Sequence, residues 1–271
     1  MKSYLGYSAD AQVRYSATSG GVGSAFLKWL FDKDIIQSAI SFKFDNQTLR
    51  YSPLIIHSYD DYEISGSIYQ EIDLIDFIKK HINEIKGDFA CFCLPCQSRG
   101  IRNIVEKKNH KVIIIGLTCS SQQTIEATTY LLRKKGIDIN NIKKLQYRGN
   151  GWPSSIQIET NNSKKIEIPN NKSIWTEIFH SRLFIRPKCF MCKDTLNKNC
   201  DIALADPWLQ DCIKTETIGK TLVTCFSMIG EAYLAQCRDD TYIFLSKIDF
   251  KQVIASQKGT CLLYTSPSPR D

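Results

Sequence analysis

The sequence has no apolar run long enough for a membrane helix. Its longest, Val112 to Leu117, falls far short of the ~20 residues such a helix needs. The N-terminus, MKSYLGYSADAQVRY, has no apolar signal core, so no export signal is read and the cytoplasm is the expected compartment. H-E-x-x-H, G-x-S-x-G and G-x-x-x-x-G-K are all absent, which leaves hydrolase and nucleoside-triphosphatase chemistry without support. Histidine is scarce. His57, His81, His110 and His180 form no acid–base constellation, and each is read as structural or solvated. Acidic residues are outnumbered, giving a net charge of +7, but the lysines and arginines are scattered in short groups, often at helix ends where cations favour the dipole. That scatter argues against a nucleic-acid partner. It suits small polyanionic ligands or an acidic redox partner. Internal repeats and low-complexity stretches are missing too.

What is present is a globular composition, 43% hydrophobic and 23% charged, over 271 residues, enough for one large domain or two modest ones. Eleven cysteines in a chain without an export signal are the unusual number, since a reducing cytosol does not favour structural disulfides. They are metal or cluster ligands, a reactive thiol, or small buried hydrophobes. The last eleven residues, CLLYTSPSPRD (261–271), break the preceding texture and look like a translated sequencing adaptor. A non-native tail is therefore expected after Thr260, with a disordered native tail as the alternative, and Cys261 enters no site argument.

Local periodicity predicts a mixed α/β (α+β) fold: a central sheet with βαβ units flanked by helices, plus an antiparallel meander. An irregular opening ends at Thr18-Ser19-Gly20-Gly21, and Val22, Ala25, Phe26, Trp29 and Leu30 then recur at helical spacing. Two β-rich runs (39–44 and 49–58) precede a helix over 72–85. DFACFCL (88–94) and KVIIIGL (111–117) read as buried strands, each followed by a turn and a helix, so the two strands are parallel. The meander spans 143–168, a helix 173–183, and the end contributes one strand and two helical pieces. Residues 1–260 are taken as one domain, with 1–140 and 141–260 as candidate sub-domains.

Four cysteines can converge on one edge of this sheet. Cys96 and Cys119 each follow a parallel strand, where open α/β sheets place ligands, and each precedes a helix start that lowers a thiol pKa. Cys189 and Cys192 form a CxxC. Four thiolates are what a [4Fe–4S] cluster or a structural zinc site requires. Cys91 and Cys93 face opposite Phe92 into a core or a cofactor wall. Cys200, Cys212, Cys225 and Cys237 are taken as buried. Ser19, Gly20 and Gly21, running into a helix, offer a phosphate an open approach or are an ordinary capped start. Arg148-Gly149-Asn150-Gly151-Trp152 pairs a guanidinium with an aromatic face, or is a plain hairpin turn.

The order of SATSGGVGSAFLKWL, GSIYQ, LPCQSRGIR, GLTCSSQ, YRGNGWP, RPKCFMCKD and DIALADPW resembles the family of coenzyme F420 hydrogenase/dehydrogenase beta subunits, over roughly residues 4–260. That family also includes relatives beside polysaccharide-synthesis genes. The resemblance implies a flavoprotein passing electrons between a [4Fe–4S] cluster, FAD and an acceptor, with a ferredoxin-like protein or another subunit as redox partner. It implies cluster ligation by Cys96, Cys119, Cys189 and Cys192, and cofactor contacts from Ser19, Gly20, Gly21 and Gln97, to which the Arg148–Trp152 turn adds Arg148 and Trp152. The sequence departs from the family at Cys93-Leu94, usually Gly-Thr, at Cys119-Ser120-Ser121, usually Cys-His-Gly, and at Ala205-Asp206-Pro207-Trp208, usually Gly-Asp before the Trp. A tandem-cluster ferredoxin segment upstream is not expected. The departures leave use of the deazaflavin coenzyme F420 open. The alternatives are a non-catalytic module holding Zn in the same cysteines, and a scaffold subunit of a surface-polysaccharide pathway.

Overall fold

A strand buried on both faces needs a near-continuous apolar run, and Val112–Leu117 supplies one in the middle of an eight-stranded sheet. The computed structural model describes residues 1–108 and 110–258; the tail at 261–271 lies outside the described residues. The strands are β1 (Lys2–Ser8), β2 (Ser38–Asp45), β3 (Arg50–Ile56), β4 (Phe89–Cys93), β5 (Val112–Leu117), β6 (Ile142–Gln146), β7 (Ser155–Thr160), β8 (Lys165–Pro169), β9 (Ile202–Ala205), β10 (Thr221–Cys225) and β11 (Ile243–Ile248). The helices are α1 (Ala11–Ser16), α2 (Val22–Asp32), α3 (Leu74–His81), α4 (Pro95–Glu106), α5 (Ile125–Lys134), α6 (Ile174–Ser181), α7 (Pro187–Phe190), α8 (Gln210–Thr215), α9 (Met228–Asp239) and α10 (Phe250–Ser256).

The large sheet runs β11-β1-β10-β9-β5-β4-β2-β3. Its centre, β2, β4, β5 and β9, is parallel, and antiparallel strands close both sides. The expected meander is the separate antiparallel sheet β6-β7-β8. Strand alternation sorts β4 cleanly. Phe89, Cys91 and Cys93 enter the core under α3 and α4, while Ala90 and Phe92 face the core built around α2. On α2 the 3.6-residue period brings Val22, Phe26, Trp29 and Leu30 onto the sheet, all but fully buried. A third core joins the small sheet to α5 and α6 through Leu131, Tyr147 and Trp175.

Three expectations are corrected. The opening is not irregular: β1 and α1 precede the Ser-Gly-Gly turn, and Asp10 caps α1 by accepting from the amides of Gln12 and Val13 at 2.8 and 3.0 Å. The chain end carries a second strand, β11, paired with β1. Helix α4 starts at Pro95 rather than after Gln97, because proline at the first helical position forfeits no hydrogen bond. Cys96 therefore lies inside the first turn of α4. Among the described residues no helix is long and apolar enough to cross a membrane.

Candidate functional site

The parallel register of β4 and β5 puts their carboxyl ends side by side, with Cys96 on the first turn beyond β4 and Cys119 just beyond β5. The CxxC arrives on a third segment, Cys189 within α7 and Cys192 two residues past its end. Hydrogen bonds bolt that segment to the strand ends. Asp194 turns the loop by accepting from the amides of Leu196, Asn197 and Lys198. Asn197, fully buried with φ 62°, donates Nδ2 to the Cys93 carbonyl at 2.8 Å and accepts from the Ser98 hydroxyl. The Cys119 amide donates to the Thr195 carbonyl at 2.9 Å. The loop is thus fixed to both strand ends that carry the thiols.

The result is one cavity of about 490 Å³ with Cys96, Cys119, Cys189 and Cys192 all on its wall. Cys93 lines it as well. The start of α2, Phe92 and Leu117 line the same cavity. The 64–72 segment closes one side. Gln70 pins it by accepting from the Tyr51 amide at 3.0 Å and donating to the Leu49 carbonyl at 2.7 Å. Gln122 pins it again through the carbonyls of Ile68 and Gln70.

Electrostatics differ from the sequence expectation. Burial pushes the Cys96 thiol above its ordinary value; Lys188 pulls it back, and Cys192 and Cys189 add to the rise. Burial raises Cys119 much further, and Cys189, Cys96 and Cys192 raise it again. Desolvation therefore outweighs the helix-start effect at Cys96 and Cys119. The four sulfurs are near enough to influence one another's charge. They are not drawn into a single-ion grip: among the described residues no three Cys, His, Asp or Glu side chains could hold one metal ion.

The flavin candidates divide. Ser19 and Gly21 line the cavity with Val22, Gly23 and Ser24, the first residues of α2, whose start has no side-chain cap. Gly20 does not line it. A Cβ at Gly20 would meet the Gly6 carbonyl at 2.7 Å and Lys220 at 2.8 Å, so its missing side chain serves strand packing. Gly21 has φ 74°, and a Cβ there would sit 3.0 Å from the Val13 carbonyl. A side chain at 21 thus strains the turn onto α1 whether or not a ligand is bound. Gln97 lines the cavity with both ends of its amide engaged, accepting from the Leu94 amide at 2.9 Å and donating to the Ile72 carbonyl at 3.3 Å. It shapes the first turn of α4.

Arg148 is also on the wall, but its charge is spoken for. Its guanidinium pairs with Asp206, donates to Ser154 at 3.0 Å and reaches the carbonyls of Thr18 and Pro153 at 3.3 Å. Burial opposes the charge, and the Asp206 carboxylate outweighs it, keeping Arg148 cationic. The guanidinium expected to contact a cofactor is engaged by this ion pair, which holds the wall together. Trp152 lies behind the wall, donating Nε1 to Asp206 at 3.2 Å and packing on Trp208 at 5.1 Å. Ser19 completes the carboxylate's partners at 2.6 Å.

Sequence reasoning missed Asp206 and Asn197 as organisers, and Tyr62 as a lining residue. Tyr62 stacks near Phe92 (6.3 Å, 16°) with its hydroxyl 3.2 Å from Ser24. Only Asn197 left a local trace, the Asp/Asn turn chemistry of KDTLNKN.

Comparison with known proteins follows the same lines. The C-terminal model of the coenzyme F420 hydrogenase/dehydrogenase beta subunit matches residues 87–251, and the N-terminal model matches residues 3–79. One subunit of the F(420)H(2) dehydrogenase of Methanosarcina mazei is 24% identical over 246 residues, 88% of this chain and 64% of that protein. The chain thus spans under two thirds of the relative's length. A solved chain of the F420-reducing [NiFe] hydrogenase complex from Methanosarcina barkeri superposes with a TM-score of 0.73 at 14% identity, covering 98% of this chain and 90% of its own, which is a likeness of fold. With both halves matched in order across most of its length, the chain belongs to the family of coenzyme F420 hydrogenase/dehydrogenase beta subunits.

Proposed function

We propose that this chain is an electron-transfer oxidoreductase subunit that uses a [4Fe–4S] cluster and FAD. The observation that supports it is the meeting of four thiols and an uncapped helix start on the wall of one cavity. Cys96, Cys119, Cys189 and Cys192 would hold the cluster, since their number and type match its ligand set. The first amides of α2 would receive the flavin's pyrophosphate, while the Ser19 hydroxyl, whose proton goes to Asp206, would hold the turn beside it. When bound, the pair supplies a junction between one-electron and two-electron transfer. The chain's own residues do the rest. Asn197 and Asp194 fix the CxxC loop, the Arg148–Asp206 pair keeps the wall rigid, and Phe92 and Tyr62 offer flat apolar surface that keeps water out. Burial raises the Tyr62 pKa, although Ser24 pulls against it, so Tyr62 stays a neutral hydrogen-bonding group. The relative named for reduced coenzyme F420 makes that deazaflavin the first two-electron donor to try. A further subunit or carrier protein would be the one-electron partner.

The test is anaerobic purification with iron, sulfide, zinc and flavin counted per chain. Cys189→Ser and Cys192→Ser are each expected to lose iron. Cys225→Ala is the control, chosen over serine because Cys225 is buried in the α2 core, where a hydroxyl would be stranded. Equal iron in all three variants would remove the ligand assignment. Zinc alone with no flavin would identify a structural module, and absence of both a scaffold.

A further inference from the structure

Segment 182–198, which carries the CxxC, concentrates charge that the rest of the chain disperses. It holds five cationic side chains, Arg182, Arg186, Lys188, Lys193 and Lys198, against one carboxylate, Asp194. Both oxygens of Asp194 are occupied by backbone amides of its own loop, so they are committed inward. Lys188, Lys193 and Lys198 are exposed. The Arg186 side chain makes a long ion contact, 3.9 Å, to Asp73.

Three apolar side chains of the same segment are exposed, whereas Ile185 is buried and Phe184 packs on the core. Phe190 is 43% and Met191 77% exposed, and these two residues are the ones between Cys189 and Cys192. Leu183 is 80% exposed. Solvent-facing phenylalanine and methionine flanked by lysines form a compact, adaptable contact surface. A small anion would use the lysines and leave the apolar groups wet; a protein with carboxylates around an apolar centre uses both. Met228 and Ile229 form another bare spot, but on α9, which contributes nothing to the cavity and sets Glu231 beside them.

We propose that Phe190 and Met191, flanked by Lys188 and Lys193, form the docking face for a small acidic electron-carrier protein. The inference rests on the electron-transfer reading above and adds the partner's charge and its point of entry. Because the two apolar residues are bonded to Cys189 and Cys192, a protein that covers them stands directly against the thiol wall. Lysines around the contact steer an acidic partner by long-range attraction, which weakens as salt screens it.

The experiment uses a small acidic [2Fe–2S] ferredoxin as probe and measures its binding to the immobilised full chain, anaerobically, from about 0.02 to 0.5 M salt. Lys188→Glu with Lys193→Glu should weaken binding by about tenfold or more and flatten the salt dependence. Met191→Ser should weaken it by several-fold through faster dissociation. The control, Lys247→Glu with Lys251→Glu, makes the same charge change on β11 and α10 and should stay within about twofold. Equal affinities in patch and control variants would overturn the proposal. So would a concentration-dependent dimer of this chain that Met191→Ser abolishes, since the face would then belong to a second copy. Iron and flavin are counted in every sample. A wild-type chain that takes up neither refutes the electron-transfer reading, while the patch-against-control comparison still decides the docking face.

Discussion

Asn197 is the side chain on which the thiol wall hangs, and its removal has a magnitude that follows from its contacts. In Asn197→Ala the Cys93 carbonyl and the Ser98 hydroxyl both lose a buried partner. A buried polar group left unsatisfied costs about 1–3 kcal/mol. Alanine must also adopt φ 62°, a left-handed backbone that costs an L-residue roughly 1–2 kcal/mol. The Ser98 hydroxyl keeps the Leu94 carbonyl, so one orphaned carbonyl plus the backbone strain gives a loss of about 2–5 kcal/mol, a large part of the stability of an ordinary domain. Asn197→Gly removes the same hydrogen bonds without the backbone strain, so it should lie about 1 kcal/mol above the alanine variant. Urea unfolding of wild type and both variants measures these differences through the shift in midpoint. Alanine and glycine variants of equal stability, both within about 0.5 kcal/mol of wild type, would refute the clamp.

Two further outcomes follow from buried charged groups. Arg148→Met should cost about 3–5 kcal/mol by leaving Asp206 without its cation, and adding Asp206→Leu should restore much of the loss; thermal unfolding in which the double variant is no better than the single would contradict this. Glu216 is opposed by burial, but the amides of Gly219 and Ile218 and the Lys220 ammonium win and lower its pKa below 4.5. Its stabilisation is therefore complete above pH 4.5 and fades as pH falls through the lowered folded value. Glu216→Gln should be less stable than wild type by about 1–2 kcal/mol at pH 7, with the gap narrowing in acid, and a gap independent of pH in urea titrations would be the contrary result.

What local pattern determined was the parallel heart of the molecule. The apolar run of β5, the alternation of β4 and the helical period of α2 each specify their element by burial alone, and together they place Cys96 and Cys119 at one edge of the sheet. The meander was legible for the same reason. Tertiary structure decided everything that joins residues far apart in the chain. Strand β1 carries no strong periodicity; it exists because Leu5 finds Leu222 on one side and Ser246 on the other, from the opposite end of the sequence. Gly20 and Gly21 have the residue type a phosphate site needs, yet only the positions of Gly6, Lys220 and α1 show that packing and backbone conformation already require them. Arg148 looked free in sequence because its partner, Asp206, is 58 residues away. The physical reason is common to all three. Periodicity reports how a segment meets water, whereas the partner of a strand edge, a close backbone approach or a buried charge is supplied by whichever distant segment the fold brings to it.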